Sequence, residues 1–456
     1  MDLTDTIVAL STPPGRSGIG VIRLSGKDAL HITRTLVNER DFSPQPNYVS
    51  LKKIRDPETD EVIDQSLITY FKAPHSFTGE DVIELSCHGS PVLLSQIIDL
   101  ILRLDARAAD PGEFTLRALA NGRINLSQAE AVRDLINAQT YAATRQAARQ
   151  LGGELSSRLQ PIKDSLLEII IRLESSLEFV EDDLPSVENS KINSKISGIA
   201  DHVINLAATF RAGRILREGI KVTLVGRPNV GKSSIFNSLL QSDRAIVTDI
   251  PGTTRDSLSE LLSLKGVPVL LTDTAGIRNS NDEVESLGVE RTRRAIADAD
   301  LVIVVVDSSE SLTIEDREVL YSVADNLHIV ALNKSDLTPV KGNGVNEITS
   351  KSKAIINISA KIGTGLNALR EAILEPFAIS DIYDPGVLIT NARHFDLLQR
   401  TYNELLISKE MLNEGRSEEL ILVGLHNALR FLGEITGETT TEDILSQIFS
   451  TFCIGK

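Results

Sequence analysis

"KVTLVGRPNVGKSSIFNSLL" (221–240) decides the fold. An apolar run leads into a glycine-framed loop, and the loop leads into a helical run. The loop reads G-x-x-x-x-G-K-[ST], with Gly226, Gly231, Lys232 and Ser233 in the defining places. Glycines let a backbone curl so that its N–H groups point inward at phosphate. The lysine reaches the β/γ-phosphates, and the serine hydroxyl serves Mg²⁺. A helix opening at the loop adds its dipole. Strand before and helix after are what this mechanism requires, so the segment is read as the phosphate-binding turn of an α/β domain.

The rest of a GTP site follows downstream, in order. "LLTDTAG" (270–276) ends an apolar strand with Asp273, placed to hold Mg²⁺ through water, and Gly276, whose amide meets the γ-phosphate. "PGTTRD" (251–256) offers Thr253 and Thr254, the latter read as a Mg²⁺ ligand beside Ser233. "IVALNKSD" (329–336) ends a strand with Asn333, Lys334 and Asp336. A carboxylate there accepts both the N1–H and the 2-amino hydrogens of guanine, a pair that adenine lacks. "NISAK" (357–361) supplies Ser359 and the Ala360 amide, which meets guanine O6. Val230, Ser234, Thr274 and Ala275 complete the expected GTP contacts. Together these motifs predict GTP hydrolysis.

Two positions depart from common GTPases. Ile277 stands where many place a water-orienting glutamine, so a residue of the acidic stretch 276–290 must replace it. The loop carries Asn229 and no arginine placed to act as a finger. An amide oxygen suits a large, weakly hydrated cation. Thr248, Ile250 and Thr253 from "VTDIPGTT" can wrap over it, which predicts K⁺ in the place of an arginine finger.

Around this domain the texture changes. Residues 1–118 mix short β-rich runs with turns: "TIVAL" and "GVIRLS" flank a Pro/Gly-rich loop, "DVIELSCH" follows, and "PVLLSQIIDLILRL" opens on a helix-starting proline. That is a small α+β domain. Residues 119–215 read as helices, with a second stretch from about 163 and a third from about 191; residues 216–379 alternate strands and helices; residues 380–456 are helical again. The simplest topology is a multidomain α+β chain, in which one helical domain is built from two segments around an inserted Ras-like α/β domain.

Bulk properties narrow the class. The 456 residues are 41% apolar and 24% charged, without tryptophan. Such a length implies two or three domains. "LVIVVV" (301–306) is too short to cross a bilayer, and the acidic start is no secretory leader. Two cysteines, Cys87 and Cys453, cannot form a disulfide framework, so the chain reads as cytoplasmic. A net charge of −16 excludes nucleic-acid binding through a whole-protein field, so any RNA contact needs a local patch or a basic partner.

"IVTDIPGTTRD" (246–256), "TPPGRSGIGVIRLSG" (12–26), "FTGEDVIELSCHG" (77–89), "DPGEFTLRALANGRINLSQAEA" (110–131) and the terminal "FCIGK" resemble the TrmE-type tRNA uridine-modifying GTPases, over nearly the whole chain. The resemblance implies a tetrahydrofolate-binding, dimerising N-terminal domain, with folate contacts at Arg23, Glu80, Arg123 and Lys456. It implies a homodimer that works with an FAD-dependent partner. It implies catalytic roles for Glu285, as the residue that orients water, and for Cys453. The donor it implies is a 5-formyl- or 5,10-methylene-tetrahydrofolate, and the substrate is a wobble uridine of tRNA. A regulatory RNA- or ribosome-associated GTPase switch without modification chemistry is the alternative.

Overall fold

The computed structural model describes residues 3–178, 187–243, 259–274, 292–338, 352–377, 388–439 and 442–455. The chain forms two compact units. One comprises residues 1–133, 150–159 and 430–456; the other comprises 134–149 and 160–429.

The first unit is built on a six-stranded sheet in the order β3-β4-β5-β2-β1-β6. Its strands are β1 Thr6–Leu10, β2 Ile19–Ser25, β3 Val49–Arg55, β4 Val62–Phe71, β5 Val82–His88 and β6 Ala106–Ala108. The expected β1–β2 hairpin is present, with Ala9 opposite Arg23. β5 lies antiparallel on the other side of β2, and its Glu84 faces Arg23. Alternation sends Ile22, Leu24, Ile68, Ile83 and Leu85 to one core face. The helices Ala29–Leu36 and Pro91–Arg103 cover that face with Ile32, Leu36, Ile97 and Ile101. The C-terminal helix Glu442–Phe449 brings Phe449 and Phe452 down on Ala129, beside Leu116 and Ile124.

The second unit carries the inserted α/β domain. Its sheet runs β12-β11-β10-β7-β9-β8. The strands are β7 Ile220–Val225, β8 Ser259–Leu264, β9 Val267–Asp273, β10 Leu301–Asp307, β11 His328–Asn333 and β12 Ile355–Asn357. Every pairing is parallel except β8 with β9. "LVIVVVD" explains itself here: β10 is buried throughout. Leu301, Ile303 and Val305 enter one apolar cluster while Val302, Val304 and Val306 enter another. A parallel strand covered on both faces reads as a continuous apolar run.

Helices from both flanks of this domain pack together. Val187–Ala208 lies along Ala392–Asn413, and Phe210 stacks on Phe395 at 4.5 Å between ring centroids. His426 meets Glu174 at 3.1 Å. The helical domain built from two segments is therefore observed. One helix is longer than its sequence suggests. Glu154–Glu178 starts well before residue 163 and runs through Pro161. An interior proline removes a hydrogen bond and costs about 3 kcal/mol. Burial of Leu155 and Leu159 before it, and of Ile162 and Leu166 after it, offsets that cost.

Candidate nucleotide site and a second polar site

The phosphate loop sits at the C-terminal end of β7, as open α/β sheets place their ligands. Gly226 has φ +154° and Gly231 has φ +96°. A Cβ on Gly226 would lie 2.4 Å from the Val305 carbonyl oxygen, and one on Gly231 would lie 2.2 Å from Asn333 Nδ2. Both contacts are closer than atoms approach, so the loop's course depends on glycine. Asn229 takes the left-handed conformation at φ +65°, which asparagine tolerates better than most residues. Lys232 opens the helix Lys232–Asp243 and donates to the carbonyls of Gly226 and Arg227, each at 2.8 Å.

Ser233 Oγ donates to Asp273 Oδ2 at 2.8 Å. Ser233, assigned to Mg²⁺, therefore meets Asp273, assigned to hold the ion through water. A hydroxyl and a carboxylate are hard oxygen donors, which fit Mg²⁺ that takes its remaining ligands from phosphate and water. Among the described residues no cluster of three or more His, Cys, Asp or Glu could hold a metal alone. Thr274 donates its hydroxyl to Leu224 O at 2.8 Å, fastening the end of β9 to β7. Ser234 follows Ser233 on the same helix.

The base-recognition loops are tied to the phosphate loop by one side chain. Asn333 Nδ2 donates to Val230 O at 2.8 Å, and its Oδ1 accepts from the Ala360 N–H at 3.1 Å. Ser359 Oγ donates to Asp336 at 2.6 Å. That bond holds the exposed Asp336 carboxyl below its ordinary pKa, so a charged acceptor faces solvent beyond the end of β11. Lys334 pairs with Asp307. Burial would raise the Asp307 pKa, but hydrogen bonds from Lys334 and Ser309 outweigh it and hold the carboxyl low. Arg227, half-buried, is engaged by the exposed Glu310 and by the buried Asp316 at 3.3 Å. Thr248, Ile250, Thr253, Thr254, Ala275, Gly276 and Glu285 lie outside the described residues, as does Lys456.

The first unit holds a second polar site. Arg23 Nε and Nη2 reach Glu84 Oε1 at 2.9 and 2.7 Å, and its Nη1 donates to Gly455 O at 3.2 Å. Ser11 Oγ donates to the same carbonyl at 3.3 Å. Gly455 has φ +90°, and a Cβ there would lie 2.5 Å from Leu10 O, so only glycine lets the tail lie this close to β1. Cys453 is exposed, and its carbonyl accepts from the Gly112 N–H at 3.4 Å. Glu80 accepts from Ser25 Oγ at 2.7 Å. The exposed Arg123 lies beside the neighbouring turn, its Cγ 3.3 Å from a Cβ built on Gly79. Arg23 and Glu80 thus lie at the β1–β2–β5 region with Gly455, and Arg123 flanks the turn that precedes Glu80.

Sequence reasoning missed what holds this region. Arg117 is fully buried and meets Asp5, Glu80 and Glu113. Arg107 pairs with Asp5 and Glu113 at 2.7 Å each. The Asp5 carboxyl is held low, first by the Arg107 hydrogen bond and then, against a burial cost, by Arg117. Glu113 resists a larger burial cost through Arg107, the Asp110 N–H and Arg117. The i, i+4 spacing of Glu113 and Arg117 was the available signal; nothing marked Asp5.

A phosphate loop at the end of a parallel strand, a Ser–Asp pair on the helix it opens and the neighbouring strand β9, and a solvent-facing carboxylate beyond β11 are the pattern of a P-loop GTPase. The MnmE helical domain family matches residues 126–453, and the family described as "GTP-binding protein TrmE N-terminus" matches residues 6–123. The "tRNA modification GTPase MnmE" of Koribacter versatilis is 45% identical over the full length of both chains. That of Aquifex aeolicus is 42% identical, again over 100% of each. Among solved structures, Aquifex aeolicus Era bound to GDP.AlF4- is similar over 41% of this chain and 67% of its own, at 25% identity and a TM-score of 0.28. The chain belongs to the MnmE family of tRNA modification GTPases.

Proposed function

We propose that the protein is the GTP-hydrolysing half of an enzyme that modifies the wobble uridine of tRNA in the cytoplasm. Its labour is divided among a folate-binding, homodimerising domain (1–118), a helical domain (119–215 with 380–456) and the G domain (216–379). The FAD-dependent partner MnmG joins it to add an aminomethyl or carboxymethylaminomethyl group at uridine C5, and a tetrahydrofolate derivative supplies the one-carbon unit. The observation that carries the reading is the pairing of sites in one chain of this family. A guanine-nucleotide site stands in one unit, and a polar site bordered by the chain's own C-terminal residues stands in the other.

The residues divide the work on GTP as follows. Lys232 and the loop amides hold phosphate, Asp336 buttressed by Ser359 reads the guanine edge, and Asn333 keeps the two loops in register. Ser233 and Thr254, with Asp273 through water, would hold Mg²⁺, which would neutralise phosphate charge. Asn229, Thr248, Ile250 and Thr253 would hold K⁺, which would supply the positive charge that an arginine finger gives elsewhere. Glu285 orients the attacking water through a bridging water, since Ile277 cannot. Arg227 is committed to Glu310 and Asp316, which fits the absence of an arginine from the transition state. In the first unit Arg23, Glu80, Arg123 and Lys456 hold the folate, and Cys453, whose thiol is exposed, is the residue for chemistry on the one-carbon unit or the uridine.

Reconstitution tests the whole reading. Purified protein, MnmG, FAD, GTP, Mg²⁺, K⁺, a methylene-tetrahydrofolate and unmodified tRNA should yield a C5-substituted uridine. Omitting the folate should abolish the product. Product formed equally without folate would remove the donor role, and no product with every component present would leave the switch GTPase.

A further inference from the structure

We infer that Arg117 is a positioning residue for the one-carbon-donor site: it sets the direction in which Glu80 presents its carboxylate to the ligand. The inference rests on the folate reading above. Arg117 is 1% exposed, so it touches no ligand itself. Its five N–H donors are all placed. Nε and one Nη2 hydrogen go to Glu113 Oε1, at 3.3 and 2.9 Å; the other Nη2 hydrogen goes to Asp5 Oδ1 at 2.6 Å. Nη1 donates to Asp5 O at 2.7 Å and straddles both Glu80 oxygens at 3.2 Å. A planar fork fixed at three other points has no freedom left, so the fourth partner inherits its orientation.

Glu80 is braced from the other side as well. Ser25 Oγ donates to Oε2 at 2.7 Å and is itself within 2.7 Å of Thr78 Oγ1. Yet its side chain keeps 19% exposure, so an edge of the carboxylate stays open. Asp5, Glu80, Asp110 and Glu113 meet only Arg107 and Arg117 in this network, which leaves carboxylates in excess of guanidiniums. An oriented, accessible carboxylate with surplus charge fits a ligand edge that presents adjacent N–H donors, such as the N3–H and 2-amino group of a 2-amino-4-oxopteridine. Lysine at 117 would keep the charge but lose the fork, and Glu80 would no longer be aimed.

Discrimination between two ligands tests this better than affinity alone. The full-length protein is titrated with 5-formyl-tetrahydrofolate and with its 2-desamino-2-methyl analogue, which keeps N3–H but lacks the 2-amino donor and so cannot make the paired contact to Glu80. The wild type should prefer the amino compound by about 50-fold or more. Glu80→Gln should remove most of that preference. Arg117→Lys should cut it to within about 5-fold while analogue binding changes less than about 3-fold. A wild-type preference retained in Arg117→Lys overturns the inference, as does an equal loss for both ligands, which is what a merely structural arginine would give. If Arg117→Lys does not fold by circular dichroism, Asp5→Ala serves. It removes one anchor of the fork on its more exposed side and should lower the preference about 3-fold or more, and an unchanged preference counts against the inference. A wild type that binds neither compound sinks the folate reading and this inference with it.

Discussion

The two units build their sites by different means. In the α/β unit the phosphate loop is backbone: two glycines with positive φ, one left-handed asparagine, and carbonyls that fold a lysine inward. In the first unit the polar site is side chain. Residues 5, 23, 80, 84, 107, 113 and 117, far apart in sequence, meet through guanidinium–carboxylate contacts. A backbone site fails when a Cβ is added, and a side-chain site fails when a charge is removed.

The largest effect should come from Gly231→Ala. Its Cβ would press on Asn333 at φ +96°, so nucleotide binding should be lost while folate binding persists, read by titration of each ligand. Parallel loss of both would break the contrast. Asp336→Asn should follow. An amide offers donors where guanine has donors, so GTP affinity should fall by about 100-fold, roughly 3 kcal/mol, and XTP should be preferred. GTP and XTP titrations decide it. Glu285→Ala should leave GTP affinity nearly intact and slow single-turnover hydrolysis by about 100-fold. Hydrolysis at the parent rate moves the role to another residue. Asn229→Ala should erase any difference between rates in potassium and sodium at matched ionic strength; equal wild-type rates in the two salts sink the K⁺ assignment.

The smallest effects concern protons. Burial pushes the Cys87 thiol up to about 11 and, together with a hydrogen bond to Asp81, raises the Tyr70 hydroxyl to about 12. Both groups are neutral in the fold. Their contribution is complete below the unfolded values of about 9 and 10 and is lost as pH rises through about 11 and 12. Asp5 and Glu113 have the opposite sign: their contribution is present above about 4 and is lost as pH falls through their lowered values. The first unit should therefore soften at both extremes, followed by circular dichroism. Near neutrality a thiol reagent should find Cys453 quickly and Cys87 only on unfolding.

The contrast also explains what was legible in the sequence. A backbone site is written contiguously, because its turn, lysine and hydroxyl must be neighbours; "GRPNVGKSS" was enough to place strand, loop and helix. The unbroken apolar run of β10 was read only as too short to cross a bilayer, although such a run also marks a strand buried on both faces. The Arg117 fork was not legible, because Asp5 and Glu80 become its neighbours only after the sheet closes, and an alternating strand pattern does not say which charges will meet. The helix through Pro161 was misjudged because local propensity lost to burial on either side.

The central claim is that this GTPase serves uridine modification. Nucleoside mass spectrometry of tRNA from a strain lacking the gene tests it most directly. The account predicts that C5-aminomethyl-type wobble uridines disappear and return with the wild-type gene but not with Gly231→Ala. Unchanged wobble uridines in the deletion strain would contradict it.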